Sequence, residues 1–147
     1  MLLNHDWIAA RIPHQGTMCL LDRVEAWDAK QARCIAISHR DADNPLRSHG
    51  QLGAACGIEY AAQAMAVHGA LIAPDQAAPR SGYLASVRST ALHVARLDDI
   101  AADLVVQVQM FSGDGNTVLY DFTVSADGKV LIEGRAAVIL DAQAIGM

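Results

Sequence analysis

Residues 52–72 read LGAACGIEYAAQAMAVHGALI, an apolar run of 21 residues whose only formal charge is Glu59. That length is enough to span a bilayer, but the composition argues otherwise. Ala and Gly outnumber Leu and Ile, and Glu59, Gln63 and His68 are polar. A central acidic residue alone costs about 2.5–3.5 kcal/mol on insertion scales. The run therefore reads as a helix, over about residues 50–70, buried inside a soluble protein and apolar nearly all round for that reason. Its small residues, Ala54, Ala55, Gly57, Ala61, Ala62, Ala64 and Ala66, let a sheet approach closely.

The flanking sequence supplies that sheet. After a short helical turn near residues 4–10, residues 18–27 and 31–38 read as strands separated by the polar turn Asp28-Ala29-Lys30. Residues 41–48 form a polar loop in which Pro45 stops regular pairing, and Pro74 and Pro79 mark the loop that ends the helix. Residues 81–94 supply a long strand. Beyond it Leu104, Val106, Val108 and Met110 alternate with polar residues, as do Val118, Tyr120, Phe122 and Val124, the period of half-buried strands. Residues 112–116 (SGDGN) form a turn. Asp127-Gly128 is the strongest hairpin signal, because both central residues of a type I′ turn need positive φ. Residues 130–140 close the set. Five or six antiparallel strands sharing one long helix make an α+β chain, a single domain over residues 1–147. Its sheet curves round the helix as in the hot-dog fold, where two subunits usually join sheets edge to edge.

Composition narrows the function classes. The chain of 147 residues carries 11 Lys and Arg against 16 Asp and Glu, a net charge of −5. The basic residues are scattered, which argues against a nucleic-acid partner. Only 18% of residues are charged against 52% hydrophobic, below the roughly 25% charge of ordinary domains, so a subunit interface is expected to hide the surplus apolar surface. Cys19, Cys34 and Cys56 form no CxxC pair, which points away from disulfides and towards a reducing, cytoplasmic setting. The first residues, MLLNHDWIAARIPH, lack the basic and apolar regions of a signal peptide.

Glu59 is the outstanding chemical feature. Burial disfavours a charged carboxyl, so its pKa is expected to rise and suit it to general-acid work. Gln63, four residues on, shares its helical face and is placed to hold the carboxyl. His49 with Gly50 falls at the expected helix start, where free backbone N–H groups of Gly50 and Gly53 would polarise a carbonyl beside a histidine base. The alternative for His49 is an exposed loop residue that caps the helix. His5, His14, His39, His68 and His93 read as structural or exposed. They show no metal-binding spacing, and neither metal nor cofactor is expected.

A family resemblance rests on four blocks. Pro13-His14 followed by Leu20, Asp22, Arg23 and Val24 resembles the PH…LLxDRV signature of the β-hydroxyacyl-(acyl carrier protein) dehydratases. Ile58-Glu59 with Gln63-Ala64 resembles their IEAMAQA helix, and Tyr83-Leu84-Ala85 their FLAG strand. The DGKVLIEGRAAVIL ending resembles the last hairpin. Gly57-Ile58-Glu59-Tyr60 is similar to the GIEYMAQA helix of dehydratase-like proteins from aryl-polyene gene clusters. One feature departs from the pattern. The family's catalytic histidine lies in a GHFPGxPxMPG loop, and its position here is Pro45.

The resemblance implies dehydration of 3-hydroxyacyl thioesters to trans-2-enoyl thioesters in fatty acid or polyene biosynthesis. The substrate would ride on the phosphopantetheine arm of an acyl carrier protein. His49 would take the loop histidine's place and remove the α-proton. Glu59 would act on the departing hydroxyl, with Gly50, Gly53 and Gln63 about the substrate. Histidine and glutamate would come from different subunits of a homodimer or of a heterodimer with a related dehydratase. Arg88 and Arg96 are weaker candidates for gripping the carrier's phosphate. Two alternatives stay open. His49-Gly50-Gln51 to Glu59 is one residue longer than the spacing of hot-dog acyl thioesterases, and the missing HFPG loop suits a non-catalytic subunit partnering an active dehydratase.

Overall fold

The structure is a computed structural model that describes residues 3–14, 16–73, 83–113 and 117–139. Helix α1 (His5–Ala9) is capped by Asn4, whose side chain accepts the Trp7 N–H at 3.0 Å. Strands β1 (Arg23–Trp27) and β2 (Gln31–Ala36) form the first hairpin. The Asp28 carboxylate accepts the Lys30 and Gln31 N–H groups and so fixes the expected turn. Helix α2 (Gly57–Ile72) follows, then β3 (Tyr83–Leu92), β4 (Leu104–Gly113), β5 (Thr117–Ala126) and β6 (Lys129–Ile139).

All pairings are antiparallel, in the order β1-β2-β4-β5-β6-β3. Strands β1 and β3 are thus the edges. Asp127 and Gly128 have φ of 51° and 78° and join β5 to β6, the type I′ turn read from the sequence. The alternation also holds, with Leu104, Val106, Val108, Val118, Tyr120, Phe122 and Val124 all buried. Helix α2 lies across β2, β4 and β5 and buries Tyr60, Ala61, Ala64, Met65, Val67 and Leu71 against them. Sheet round helix is the hot-dog fold. No helix among the described residues is long and apolar enough to cross a membrane.

Several boundaries differ from those read in the sequence. The first strand begins at Arg23 rather than residue 18, because Gly16–Met18 forms a 3-10 turn and the polar backbone groups of Met18 and Leu20 bond to Gln63. The second strand stops at Ala36, before the 3-10 turn Ser38–Arg40. Helix α2 begins at Gly57 rather than near residue 50. Ser48 and Gln51 exchange backbone hydrogen bonds of 2.9 and 3.0 Å across a tight turn, and both intervening residues have positive φ, His49 at 54° and Gly50 at 76°. Leu52 and Gly53 then run extended, with backbone bonds from Leu97 to Leu52 and from Ala54 to Ala95, and a 3-10 turn over Ala54–Cys56 leads into α2. Pro74, Pro79 and turn residues 114–116 lie outside the described residues.

The helix is also less enclosed than its sequence implies. Tyr60, Ala61, Gln63, Ala64 and His68 are fully buried, but Ile58, Glu59, Ala62, Ala66 and Gly69 are half-buried and Ile72 is exposed. One flank of α2 therefore lies open in the single chain.

Candidate active site

Three separate segments converge at the start of α2. The first leaves α1, where the Arg11 and Ile12 N–H groups bond to the Ile8 carbonyl and Ile12 is buried, so the chain is anchored just before Pro13-His14. The second is the stretch from Gly16 to Leu20, tied to α1 by a hydrogen bond from His5 Nε2 to the Cys19 carbonyl. The third is α2 itself, whose first turn carries Glu59, where the positive end of the helix dipole favours a negative charge.

At this meeting point His14 Nε2 lies 3.0 Å from Glu59 Oε1. Gln63 Nε2 donates to the same oxygen at 3.3 Å, as expected for a pair four residues apart on a helix. Gln63 Nε2 also donates to the Met18 carbonyl at 2.7 Å, and Gln63 Oε1 accepts the Leu20 N–H at 2.9 Å. Gln63 is completely buried, so its amide is engaged by the protein, against the expectation of a substrate contact. It locks the loop to the helix and steadies the carboxylate. Glu59 Oε2 accepts no hydrogen bond from any described residue. The Glu59 side chain is 32% exposed.

The electrostatics run opposite to the sequence expectation. Burial alone would raise the Glu59 pKa, but the hydrogen bond from His14 outweighs it, Gln63 adds to that effect, and the carboxyl sits below its ordinary value. Glu59 is thus ionised near neutral pH, fit to accept a proton rather than to give one.

Beneath the site lies a buried network. Tyr60 shares a hydrogen bond with Ser38 Oγ at 2.8 Å and accepts one from Asn44 Nδ2 at 3.0 Å, while Ser38 Oγ donates to the Leu20 carbonyl at 2.7 Å. Leu20 is therefore held by its N–H through Gln63 and by its carbonyl through Ser38.

The structure places the other sequence candidates elsewhere. His49 and Gly50 occupy the exposed turn before α2, and neither stands at a helix N-terminus. Gly53 is exposed and bridges to Arg96. Arg88 is exposed on β3; Arg96 lies past the end of that strand and pairs with Asp98. His39 and His68 are buried. His39 donates to the Ile100 and Ala102 carbonyls, and His68 bonds Tyr120 and the Asp28 carbonyl. His14 is the residue that the sequence reading passed over, although Pro13-His14 opened its first signature block.

The ApeP-like family model, described as ApeP dehydratase, matches residues 7–145. Among solved structures, the chain is similar to the dehydratase heterocomplex ApeI:P from Xenorhabdus doucetiae, with a TM-score of 0.84, 23% identity and coverage of 100% of both chains. It is also similar to a mutant thioesterase from Pseudomonas aeruginosa, with a TM-score of 0.54, 16% identity and coverage of 80% of this chain and 78% of that one. A thioesterase from Haemophilus influenzae gives a TM-score of 0.58 at 9% identity, covering 80% of this chain and 76% of that one. At these identities the structural likenesses show the fold. No protein of curated function matches the chain.

Proposed function

This chain belongs to the ApeP-like dehydratase family, and on that premise we propose that it serves in the removal of water from 3-hydroxyacyl thioesters carried on an acyl carrier protein. The products would be trans-2-enoyl thioesters of aryl-polyene or related fatty acyl synthesis. The observation that carries the reading is the Glu59 carboxylate, ionised, fixed through one oxygen by His14 and Gln63, with its other oxygen accepting no hydrogen bond from the described residues.

The reaction moves one proton. The Cα–H bond breaks, the electron pair passes through the thioester enolate into the new double bond, and the Cβ–O bond breaks to release water. An ionised Glu59 is suited to take the α-proton on Oε2 and pass it to the hydroxyl as the Cβ–O bond breaks, so that the hydroxyl leaves as water and the carboxylate is regenerated. His49 of a second subunit, following the family resemblance, would assist loss of the hydroxyl. Roles are thereby exchanged relative to the sequence expectation, because the carboxyl begins without its proton.

Two features support a second subunit. The open flank of α2 presents Ile58, Ala62, Ala66 and Gly69, and edge strand β3 exposes Leu84 and Leu92. Apolar surface of this kind fits a partner of the same fold. The likeness to the ApeI:P heterocomplex supports a related dehydratase in that position. A second reading, a subunit that stabilises an active dehydratase without turning over itself, is favoured by the absent HFPG loop.

The test incubates the protein, alone and together with a related dehydratase, with 3-hydroxyacyl and simple acyl carrier thioesters under mass spectrometry. Loss of water that disappears in Glu59→Gln, with the dimer intact, is the expected result. Turnover unchanged by Glu59→Gln rejects the active-site assignment and favours the non-catalytic subunit. Release of free carrier thiol identifies a thioesterase. His49→Ala retaining full activity removes the role given to His49.

A further inference from the structure

We infer that His14, from the same chain, is the positioning residue that holds Glu59 charged and aimed. The inference deepens the dehydratase reading and rests on it for the meaning of the charge. Its evidence is geometric and independent of that reading.

The direction of the His14–Glu59 bond follows from the chemistry of the two groups. An ionised carboxylate only accepts, so His14 Nε2 carries the hydrogen across the 3.0 Å separation. The other ring nitrogen, Nδ1, is buried away from water and bonds to no described residue. Nε2 is thus the ring nitrogen through which His14 engages the described residues, and it faces the carboxylate. A fixed N–H donor at this distance stabilises the negative charge on Glu59 and orients Oε1. His14 is the only titratable group acting on Glu59 among the described residues, and Gln63 is the only other side chain bonded to it.

The surrounding bonds show why His14 reaches this place. Ile12 anchors the chain on one side, and the Gln63 amide clamps Met18 and Leu20 on the other. The loop carrying His14 is therefore tethered to α2 close to Glu59. His49, the histidine assigned by resemblance, stands on an exposed turn with no hydrogen bond to Glu59. The two histidines consequently have separable functions: His14 sets the charge and orientation of the carboxylate, and His49 acts, where it acts, from another chain.

The decisive measurement is a titration of the glutamate side-chain carboxyls by carbon-13 NMR, with the Glu59 signal assigned by its absence in E59Q. It is recorded for the natural chain, H14A and H14Q. Gln presents an uncharged N–H at a reach similar to that of Nε2. The expected outcome is a Glu59 midpoint that moves upward in H14A and returns towards the natural value in H14Q. An unmoved midpoint in H14A overturns the inference. If H14A does not fold, H14N, whose shorter side chain places no donor at Glu59, takes its place. In the carrier-protein assay, the acid limb of the kcat/KM profile should move with that midpoint. A shifted midpoint combined with full activity of E59Q leaves the positioning intact and sinks the dehydratase role of Glu59. An unmoved midpoint with an inactive E59Q does the reverse.

Discussion

Phe122 of β5 fills the space that a side chain on Gly134 of β6 would need. The two are direct cross-strand partners, and a β-carbon built on Gly134 would lie 2.9 Å from Phe122 Cζ and 3.0 Å from Thr90 Oγ1. A rigid phenyl ring inside the core has little room to retreat. Gly134→Ala is therefore expected to destabilise the protein by about 1–3 kcal/mol through overpacking. Urea unfolding measures it, and an equal or higher midpoint would refute the packing argument.

Gln63 joins the fold to the site, and its loss should be felt in both. Gln63→Leu keeps the bulk but leaves the buried Leu20 N–H and Met18 carbonyl without partners. At about 1–3 kcal/mol per orphaned group, the cost is roughly 2–6 kcal/mol. The variant also removes one of the two donors to Glu59 Oε1, so the Glu59 midpoint should rise. A variant as stable as the natural protein would show that water replaces the amide without penalty.

Stability should fall on mild acidification. Burial is the largest influence on His39 and on His68, and it lowers the pKa of each. The folded state holds both neutral, while the unfolded chain takes up protons below about pH 6.5, so it binds more protons and is favoured as pH falls. The contribution is intact above that pH and is lost progressively beneath it. Glu59, depressed by His14, adds a second loss only where an ordinary carboxyl titrates, near pH 4 and below. Unfolding free energies measured between about pH 7.5 and 5.5 should decline, and a flat profile would contradict the burial of the two imidazoles.

The thiols should be poorly reactive in the native state. Burial raises the pKa of all three, Cys34 to about 12. Cys34 is fully enclosed and Cys19 nearly so, while Cys56 is half-buried. Since the thiolate is the reacting form, labelling at neutral pH should be slow and led by Cys56. Rapid modification of Cys34 in folded protein would show that the β2 core opens.

Much of the fold could be read from local sequence because it is written in local chemistry. The helical turn near residues 4–10, the Asp28 turn, the alternation along β4 and β5 and the Asp127-Gly128 turn each depend on residues a few places apart. The boundaries that shifted are those where a distant partner intervened. Met18 and Leu20 look like strand residues, yet Gln63 takes their polar backbone groups and bends the chain away from the sheet. The helix start moved for a different reason, since nothing in an apolar run marks where a tight turn of left-handed residues will interrupt it.

For the site, the amino-acid order by itself determined that a lone carboxylate would lie on a largely buried helix, with Gln63 one turn further along. Helical periodicity sets that relation wherever the helix docks. Only the tertiary structure decided which histidine meets the carboxylate and what charge the carboxylate bears. Both follow from the N-terminal segment packing against α2. Distance and hydrogen bonding there reversed the effect of burial, and no periodicity in the chain encodes the approach of His14 to Glu59.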